Sequence, residues 1–222
     1  RYRLWGLLLA VVPVANVILL IHILRLVRRE IRTETLKNQL NESRREEQIC
    51  KTKYPVLMVH GFFFRDFKLL NYWGRIPREL EKNGATLYYG EHQSAAPVAI
   101  SAEEITERVE YILRKTGAEK VNIIAHSKGG LDCRYAISQL GISSQVASLT
   151  TVNTPHRGCL FADYLLSNIP SGIKDTVAQT YNATLQKFGE ADADFLAAVN
   201  DLTDASCKAL DARMPTPEGV YC

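Results

Sequence analysis

The serine at position 127 has the neighbours and the setting of an enzymatic nucleophile. It lies in the run AHSKGG, residues 125–130, between an apolar stretch and a segment of helical composition. Small residues two positions before and after the serine permit a strand-to-helix turn too tight for larger side chains. Such a turn exposes the hydroxyl for attack on an acyl carbon, and the following helix directs N–H groups towards the developing oxyanion. The residues predicted to build this turn around Ser127 are Ala125, His126, Lys128 and Gly129.

A second motif supplies a complementary group, a backbone N–H donor for the same oxyanion. His60, Gly61 and Phe62 follow directly after another apolar stretch. Gly61 lets the chain turn sharply enough to aim the amide of Phe62 at a substrate oxygen. We therefore predict an oxyanion hole made by the amides of Phe62 and Lys128, with His60 and Gly61 as supporting residues. The aromatic run continues, and we expect part of Phe62, Phe63 and Phe64 to face a cleft and Phe67 to pack in the core.

The elements that position these residues alternate between strands and helices. Short continuous apolar runs predict strands at 54–59, 85–89, 120–125 and 146–152, as is typical of a parallel sheet buried on both faces. A capping box at 101–104 predicts the start of one helix, and residues 128–140 predict another. This alternation predicts an α/β fold with a mainly parallel sheet. Residues 161–210 read as helical throughout and are too many for one crossover, which predicts an inserted helical lid.

The N-terminal segment predicts a different environment. Residues 4–24 carry no formal charge and are long enough to cross a bilayer, so we predict one transmembrane helix with basic flanks over 1–29. Residues 30–53 are densely charged and predict a juxtamembrane linker, followed over 54–222 by the α/β domain that contains both motifs. These patterns predict a membrane-anchored protein with the membrane as a partner. The side of the membrane on which the domain lies stays open, because basic residues occur on both flanks.

Composition excludes several other classes of protein. The chain has 222 residues and a net charge of +3, which is too weak a balance to indicate a nucleic-acid partner. Its five cysteines are an odd number without a framework, which leaves disulfides undecided. No CxxC, HExxH or comparable spacing is present, so we expect no metal site and no cofactor.

Together the motifs resemble one known family. The runs PVLMVHGFFF (55–64), AHSKGG (125–130) and TVNTPHRGCLFADYL (151–165) are similar to those of bacterial triacylglycerol lipases of the α/β-hydrolase superfamily. The resemblance covers about residues 54–215. It implies a carboxylic-ester hydrolase that acts on lipid or other hydrophobic esters, with Ser127 as nucleophile in an acyl-enzyme mechanism. It also implies that His156 is structural, which agrees with its place only 29 positions after Ser127.

The resemblance also implies a catalytic Asp and His after the lid. No histidine follows His156, so we expect both residues, and any calcium ligands, to lie beyond Cys222. The domain in this sequence would then be incomplete and inactive by itself. An acyltransferase or thioesterase on the same fold stays open as an alternative. A non-catalytic, membrane-bound binding module is the alternative if the chain ends at Cys222.

Overall fold

A computed structural model describes residues 13–62, 72–215 and 218–222. The chain divides into two compact units, the first ending at Ile49 and the second comprising Cys50–Cys222. The first unit contains helix α1 (Pro13–Ser43) and a short 3-10 turn at Arg45–Glu47. The second unit contains all the strands of the protein's described part and every motif singled out above.

The prediction of a transmembrane helix over residues 1–29 is wrong. Among the residues that the structure describes, no helix is sufficiently long and apolar to span a bilayer. The physical reason lies in α1, whose apolar part ends at Leu24 and passes without a break into the charged run that begins at Arg25. From Pro13 to Leu24 the helix rises about 18 Å, against a hydrocarbon core of about 30 Å. Residues 1–12 of the predicted segment lie outside the described residues.

Two further predictions depended on that helix and are corrected with it. The predicted fold class placed a transmembrane helix before the hydrolase domain, and the predicted location was anchorage in a membrane. Neither is supported, because α1 carries Arg28, Arg29 and Glu30 in its middle and runs on to Ser43. Part of the predicted linker is therefore the second half of this helix.

The second unit is built on a parallel sheet. Its strands are β1 (Val56–Val59), β2 (Leu87–Tyr89), β3 (Val121–His126) and β4 (Val146–Val152). They are all parallel and lie in the order β2-β1-β3-β4. The predicted α/β architecture with a parallel sheet is confirmed. Because the strands are parallel and in register, the carboxyl ends of β1, β3 and β4 meet at one edge, where Val59 pairs with Ala125 and His126 with Val152.

Helices α2 (Ile76–Lys82), α3 (Val98–Thr116) and α4 (Lys128–Gln139) connect these strands. The helix α3 has an apolar face at helical spacing, and its buried members pack on β1 and β3 in the central core. The predicted capping box is wrong, because α3 begins at Val98 and Ser101 lies inside its first turns. Ser101 is fully buried, and its hydroxyl donates to the carbonyl of Gln93 instead of capping the helix.

Four helices follow β4, in the range where a helical insertion was predicted. They are α5 (Leu160–Asn168), α6 (Ser171–Lys187), α7 (Phe195–Asn200) and α8 (Asp204–Arg213). They enclose a second apolar cluster with Phe62 and Leu131 from the body of the domain. Between α6 and α7 the buried carboxylate of Glu190 accepts hydrogen bonds from Ser94 and from the amide of Ala95. These hydrogen bonds join the connection between α6 and α7 to the segment between β2 and α3.

The sheet receives a further residue beyond α8. Tyr221 forms a parallel bridge with Ser148 of β4: the amide of Leu149 donates to the Tyr221 carbonyl, and the Tyr221 amide to the carbonyl of Ala147. The neighbouring side chain of Val220 is buried in the central core. The final residues therefore lie alongside β4, on the side away from β3.

Candidate functional site

Ser127 occupies the turn between β3 and α4 in a strained conformation. Its backbone angles are φ 53° and ψ −128°, a region that residues with a Cβ rarely adopt and that costs about 1–3 kcal/mol. Two hydrogen bonds hold the turn, from the Ser127 amide to the Val152 carbonyl (2.9 Å) and from the Gly130 amide to the Ser127 carbonyl (3.1 Å). The strain is thus opposed by contacts with β4 and α4, which is typical of a position kept for function rather than stability.

The loop after β1 packs directly against this turn. A Cβ placed on Gly61 would lie 2.6 Å from the Ser127 Cβ and 3.2 Å from its Oγ, so the hydroxyl faces this loop. A Cβ placed on Gly129 would lie 2.3 Å from the carbonyl oxygen of His60. Neither position has room for a side chain. The structure therefore brings together Ser127, His60, Gly61 and Gly129, which the sequence motifs had only suggested.

Phe62 follows Gly61 and turns its side chain into the helical region. Its ring is buried, with its centroid 5.7 Å from that of Phe195 on α7 and 6.4 Å from that of Tyr181 on α6. The helices after β4 therefore contact the same residue whose amide is the predicted oxyanion donor. Phe63, Phe64 and Phe67 lie outside the described residues.

Lys128 has a buried side chain in addition to the amide that the motif singled out. Its ammonium group donates to Asp132 Oδ1 at 2.8 Å and to Ser101 Oγ at 2.9 Å, and the side chains of Lys128 and Asp132 are each only 1% exposed. Burial raises the pKa of Asp132 to about 7, against the opposing effect of Lys128. The spacing of four residues on α4 indicated this pair in the sequence, but nothing in the sequence indicated that the pair is buried.

Two histidines lie next to this ion pair. The rings of His60 and His92 are stacked with centroids 4.1 Å apart and planes 18° apart, and both side chains are buried. His92 Nε2 lies 3.9 Å from Asp132 Oδ2. Burial holds the pKa of His92 well below its ordinary value of 6.5, and the neighbouring His60 and Lys128 act in the same direction. Nothing in the sequence near His92 indicated this position.

The pH dependence of stability gives a direct test of the buried carboxyl. The folded protein binds more protons at Asp132 than the unfolded chain between about pH 4 and 7, so this group lowers the free energy of unfolding as pH rises through that window. We expect Asp132→Asn to remove this decline, measured as the difference between urea-unfolding curves of variant and wild type at several pH values. The lowered pKa of His92 makes the free energy of unfolding rise with pH instead. Because both proteins contain His92, this contribution cancels when one curve is subtracted from the other.

Asp211→Asn is the matched control for that measurement. The hydrogen bond with Arg134 lowers the pKa of the exposed Asp211 carboxyl, so its contribution to stability is lost only as pH falls below about 4. The two aspartates should therefore act with opposite sign and in different pH ranges. Parallel curves for wild type and Asp132→Asn between pH 4 and 7 would contradict the assignment.

His126 and Ala125, the two residues before Ser127, support the turn from the strand side. Ala125 is fully buried in the core. The Tyr72 hydroxyl makes a hydrogen bond with Nδ1 of His126, and the Trp73 ring lies edge-on to the imidazole. Burial lowers the pKa of His126. His126 therefore joins Tyr72 and Trp73, which lie shortly before α2, to the end of β3 next to Ser127.

His156, in the turn after β4, has both ring nitrogens engaged. Nδ1 lies 3.1 Å from Nη1 of Arg134, and Nε2 lies 3.1 Å from the hydroxyl of Thr151. Because a guanidinium group only donates, Nδ1 accepts and Nε2 carries the proton. Burial and the adjacent Arg134 lower the pKa of His156, which favours this neutral form. In the part of the chain that the structure describes, no hydrogen bond joins the Ser127 hydroxyl to a histidine.

Arg134 joins three segments through this turn, and its removal should be costly. Besides His156, it donates to Asp211 Oδ1 at 2.7 Å and to the carbonyl of Met214 at 3.0 Å. We expect Arg134→Ala to lower the free energy of unfolding by about 2 kcal/mol, since hydrogen bonds to charged groups contribute about 1.5–3 kcal/mol. Urea denaturation measures this. The control is Arg114→Ala, which breaks an exposed pair with Glu110 and should cost less than about 0.5 kcal/mol; equal losses would refute the argument.

A cavity of about 540 Å³ lies along β4 but is not lined by Ser127. Its lining includes Arg134, Leu149, Thr151, His156, Asp211 and Tyr221. Within residues 13–62, 72–215 and 218–222, no three His, Cys, Asp or Glu side chains are grouped as metal ligands.

Comparisons with known proteins agree with this geometry. A sequence profile described as alpha/beta hydrolase fold matches residues 54–218. A triacylglycerol lipase of Pseudarthrobacter phenanthrenivorans is 35% identical over 178 residues, which cover 74% of this chain and 55% of that protein. A triacylglycerol lipase of Burkholderia plantarii is also 35% identical, over 74% of this chain and 49% of its own length. The chain spans about half the length of these curated relatives.

Solved structures show the same fold. The mature form of Bacillus licheniformis lipase BlEst2 matches with a TM-score of 0.59 at 19% identity, over 75% of this chain and 61% of that one. The metagenomic carboxyl esterase MGS0156 matches with a TM-score of 0.58 at 15% identity, over 76% of this chain and 48% of that one. The resemblance to bacterial triacylglycerol lipases that the motifs predicted is confirmed, and the chain belongs to the family with the alpha/beta hydrolase fold.

Proposed function

We propose that this chain carries the nucleophile and the oxyanion hole of a carboxylic-ester hydrolase of lipase type. The observation that carries the proposal is the strained turn at Ser127, whose hydroxyl lies 3.2 Å from the point that a Cβ on Gly61 would occupy. A strained residue with a Cβ is costly to the fold and is typical of a catalytic site. The similarity to proteins named triacylglycerol lipases supports the same reaction class.

The reaction begins with attack of Ser127 Oγ on the ester carbonyl carbon. A C–O bond forms, the hydroxyl proton passes to a general base, and the carbonyl oxygen becomes an oxyanion. The amides of Phe62 and Lys128 donate to this oxyanion, and each such donor contributes about 10²–10³ in rate. The tetrahedral intermediate expels the alcohol, which takes up the proton. Water then gives a proton to the base and adds to the acyl carbon, the bond from that carbon to Ser127 Oγ breaks, and Oγ takes the proton back as the carboxylic acid leaves.

The substrate that we propose is a lipid or another hydrophobic ester. Phe62 packs against Tyr181 and Phe195, so apolar side chains of α6 and α7 lie beside the residue whose amide donates to the oxyanion. An acyl chain bound next to Ser127 would meet aromatic and aliphatic surface rather than charge. The helical region from Leu160 to Arg213 would act as the lid over this apolar site.

Covalent labelling tests the assignment of the nucleophile. The protein is incubated with a fluorophosphonate probe, digested and analysed by mass spectrometry, with label expected on the peptide that contains Ser127. Ser127→Ala should lose the label. Ser138→Ala is the matched control, since Ser138 also lies at α4 but donates to the carbonyl of Arg134 within the helix, and it should be labelled as the wild type is.

Product analysis tests the reaction type. Ester turnover is followed with water alone and with added alcohol or thiol acceptors. We expect the free carboxylic acid as the main product from esters. Acyl transfer to alcohol as the main product would favour an acyltransferase, and preference for thioesters would favour a thioesterase. These measurements use the full-length protein, and absence of both labelling and turnover in its folded wild-type form would contradict the proposed function and favour a binding module.

A further inference from the structure

A cluster of buried polar side chains lies between the two backbone donors of the proposed oxyanion hole. Its members are His60, His92, Ser101, Lys128 and Asp132, and all are buried. We propose that His92 and Asp132 are positioning residues that hold the amides of Phe62 and Lys128 at a fixed separation. This inference rests on the proposed function, because it concerns the groups that would bind the oxyanion.

The first part of the connection runs from the loop after β1 to the segment after β2. His60 is two residues before Phe62, and its ring is stacked on His92 at 4.1 Å between centroids. The His92 ring also lies against the backbone of Gly90, where a Cβ would lie 2.6 Å from Nδ1. The imidazole of His92 therefore lies between the loop that carries one donor and the residue that follows the edge strand β2.

The second part runs from His92 to the start of α4. His92 Nε2 lies 3.9 Å from Asp132 Oδ2, and the other oxygen of that carboxylate accepts from Lys128 Nζ at 2.8 Å. Lys128 also donates to Ser101 on α3 at 2.9 Å. The side chain of Lys128 is thus fixed at its far end, while its own backbone N–H is the second oxyanion donor. A series of contacts therefore runs between the two donors: the ring stack of His60 and His92, the 3.9 Å approach of His92 to Asp132, and the ion pair of Asp132 with Lys128. Two other segments contribute side chains to it, His92 from the segment after β2 and Ser101 from α3.

Stability alone does not account for these groups. Burying an ammonium and a carboxylate costs desolvation energy, and apolar residues of similar size are often equally or more stabilising in such places. The site needs its donors placed within about 0.5 Å, because they act on an oxyanion that develops in the transition state and persists only in the tetrahedral intermediate. A series of buried contacts between the loop and α4 would meet that need.

A double substitution separates positioning from folding. Lys128→Met with Asp132→Leu removes both charges, keeps the backbone amide of residue 128 and leaves no unpaired buried charge. We expect its Tm to equal or exceed that of the wild type, and its kcat for p-nitrophenyl butyrate to fall about 10- to 100-fold, less than the loss of a whole donor. KM should change less than about 3-fold. The kcat is normalised to active sites titrated with the fluorophosphonate probe, so that loss of folded protein does not count.

The control and a second variant make the result decisive. The control is the double variant Lys208→Met with Asp204→Leu. It removes an exposed ion pair on α8 that has the same four-residue spacing and the same N···O distance of 2.8 Å, and kcat should be unchanged. His92→Phe keeps a stacked ring but loses Nε2, and should lower kcat as the first double variant does. Wild-type kcat per active site in both test variants would overturn the inference. A wild-type protein without label at Ser127 would instead refute the proposed function, and the inference with it.

Discussion

Replacing Ser127 by glycine is expected to abolish ester hydrolysis and to stabilise the protein. Glycine adopts φ 53° and ψ −128° without steric cost, so the variant releases the strain stored at this turn. Part of this gain is offset by the greater conformational freedom of glycine in the unfolded chain. We expect a net increase of about 1 kcal/mol in the free energy of unfolding, measured by urea denaturation, and a loss of about 10⁴-fold or more in kcat.

Ser127→Ala separates the two effects. Alanine also lacks the hydroxyl, so hydrolysis should be lost to the same extent. It keeps a Cβ and therefore the backbone strain, so its free energy of unfolding should stay close to that of the wild type. Equal stability of the glycine and alanine variants would show that the strain at this turn is no larger than the entropy that glycine adds to the unfolded chain. A kcat within about 10-fold of the wild-type value in either variant would exclude Ser127 as the nucleophile, because a site without its nucleophile keeps only the small residual rate that the oxyanion hole and binding supply.

Replacing Gly129 by alanine is expected to damage both the fold and the site. The added methyl group would lie 2.3 Å from the carbonyl oxygen of His60 and 2.9 Å from a methyl group of Val59. These atoms belong to buried backbone and to the end of a core strand, so they have little room to move. We expect a loss of about 3 kcal/mol or more in the free energy of unfolding. Folded molecules should also lose about 10²-fold in kcat, because the loop with the Phe62 amide is displaced.

Gly172→Ala is the matched control for this substitution. Gly172 is exposed in the first turn of α6, and a Cβ there would meet nothing within 4 Å. Alanine should stabilise the helix by up to about 1 kcal/mol. The free energy of unfolding should therefore rise in this variant, whereas it falls in Gly129→Ala. Its kcat should not fall. Wild-type stability of the Gly129→Ala protein would mean that the loop after β1 does not pack tightly against the start of α4.

The candidate site was largely predictable because its backbone follows local rules. A serine between small residues, after a buried strand and before a helix, predicts the turn at Ser127 without any long-range information. Continuous apolar runs predicted the four strands, with β4 at 146–152 as observed and β3 displaced by one residue. Parallel pairing then brings the ends of β1 and β3 together. The same local reasoning failed for the N-terminal segment, where charged residues follow the apolar stretch within one continuous helix.

The polar contacts around the site were not predictable, for a physical reason. Ser94 and Glu190 are 96 residues apart, and Arg134 and Asp211 are 77 apart, and such pairs leave no periodic pattern in the chain. Lys128 and Asp132 have the spacing of an ordinary exposed helix pair, and Ser101 has the pattern of a helix cap. Only the packing of α3 and α4 decides that all three are buried and joined.

The sequence by itself determined the order of strands and helices, the turn at Ser127 and the loop of Gly61, because each depends on residues within a few positions. The tertiary structure alone decided which polar side chains became buried, and it stacked His92 on His60 beside Asp132. Burial is a property of the assembled sheet and helices and not of any local segment. It determines whether a charged side chain such as Lys128 is surrounded by water or by Asp132 and Ser101.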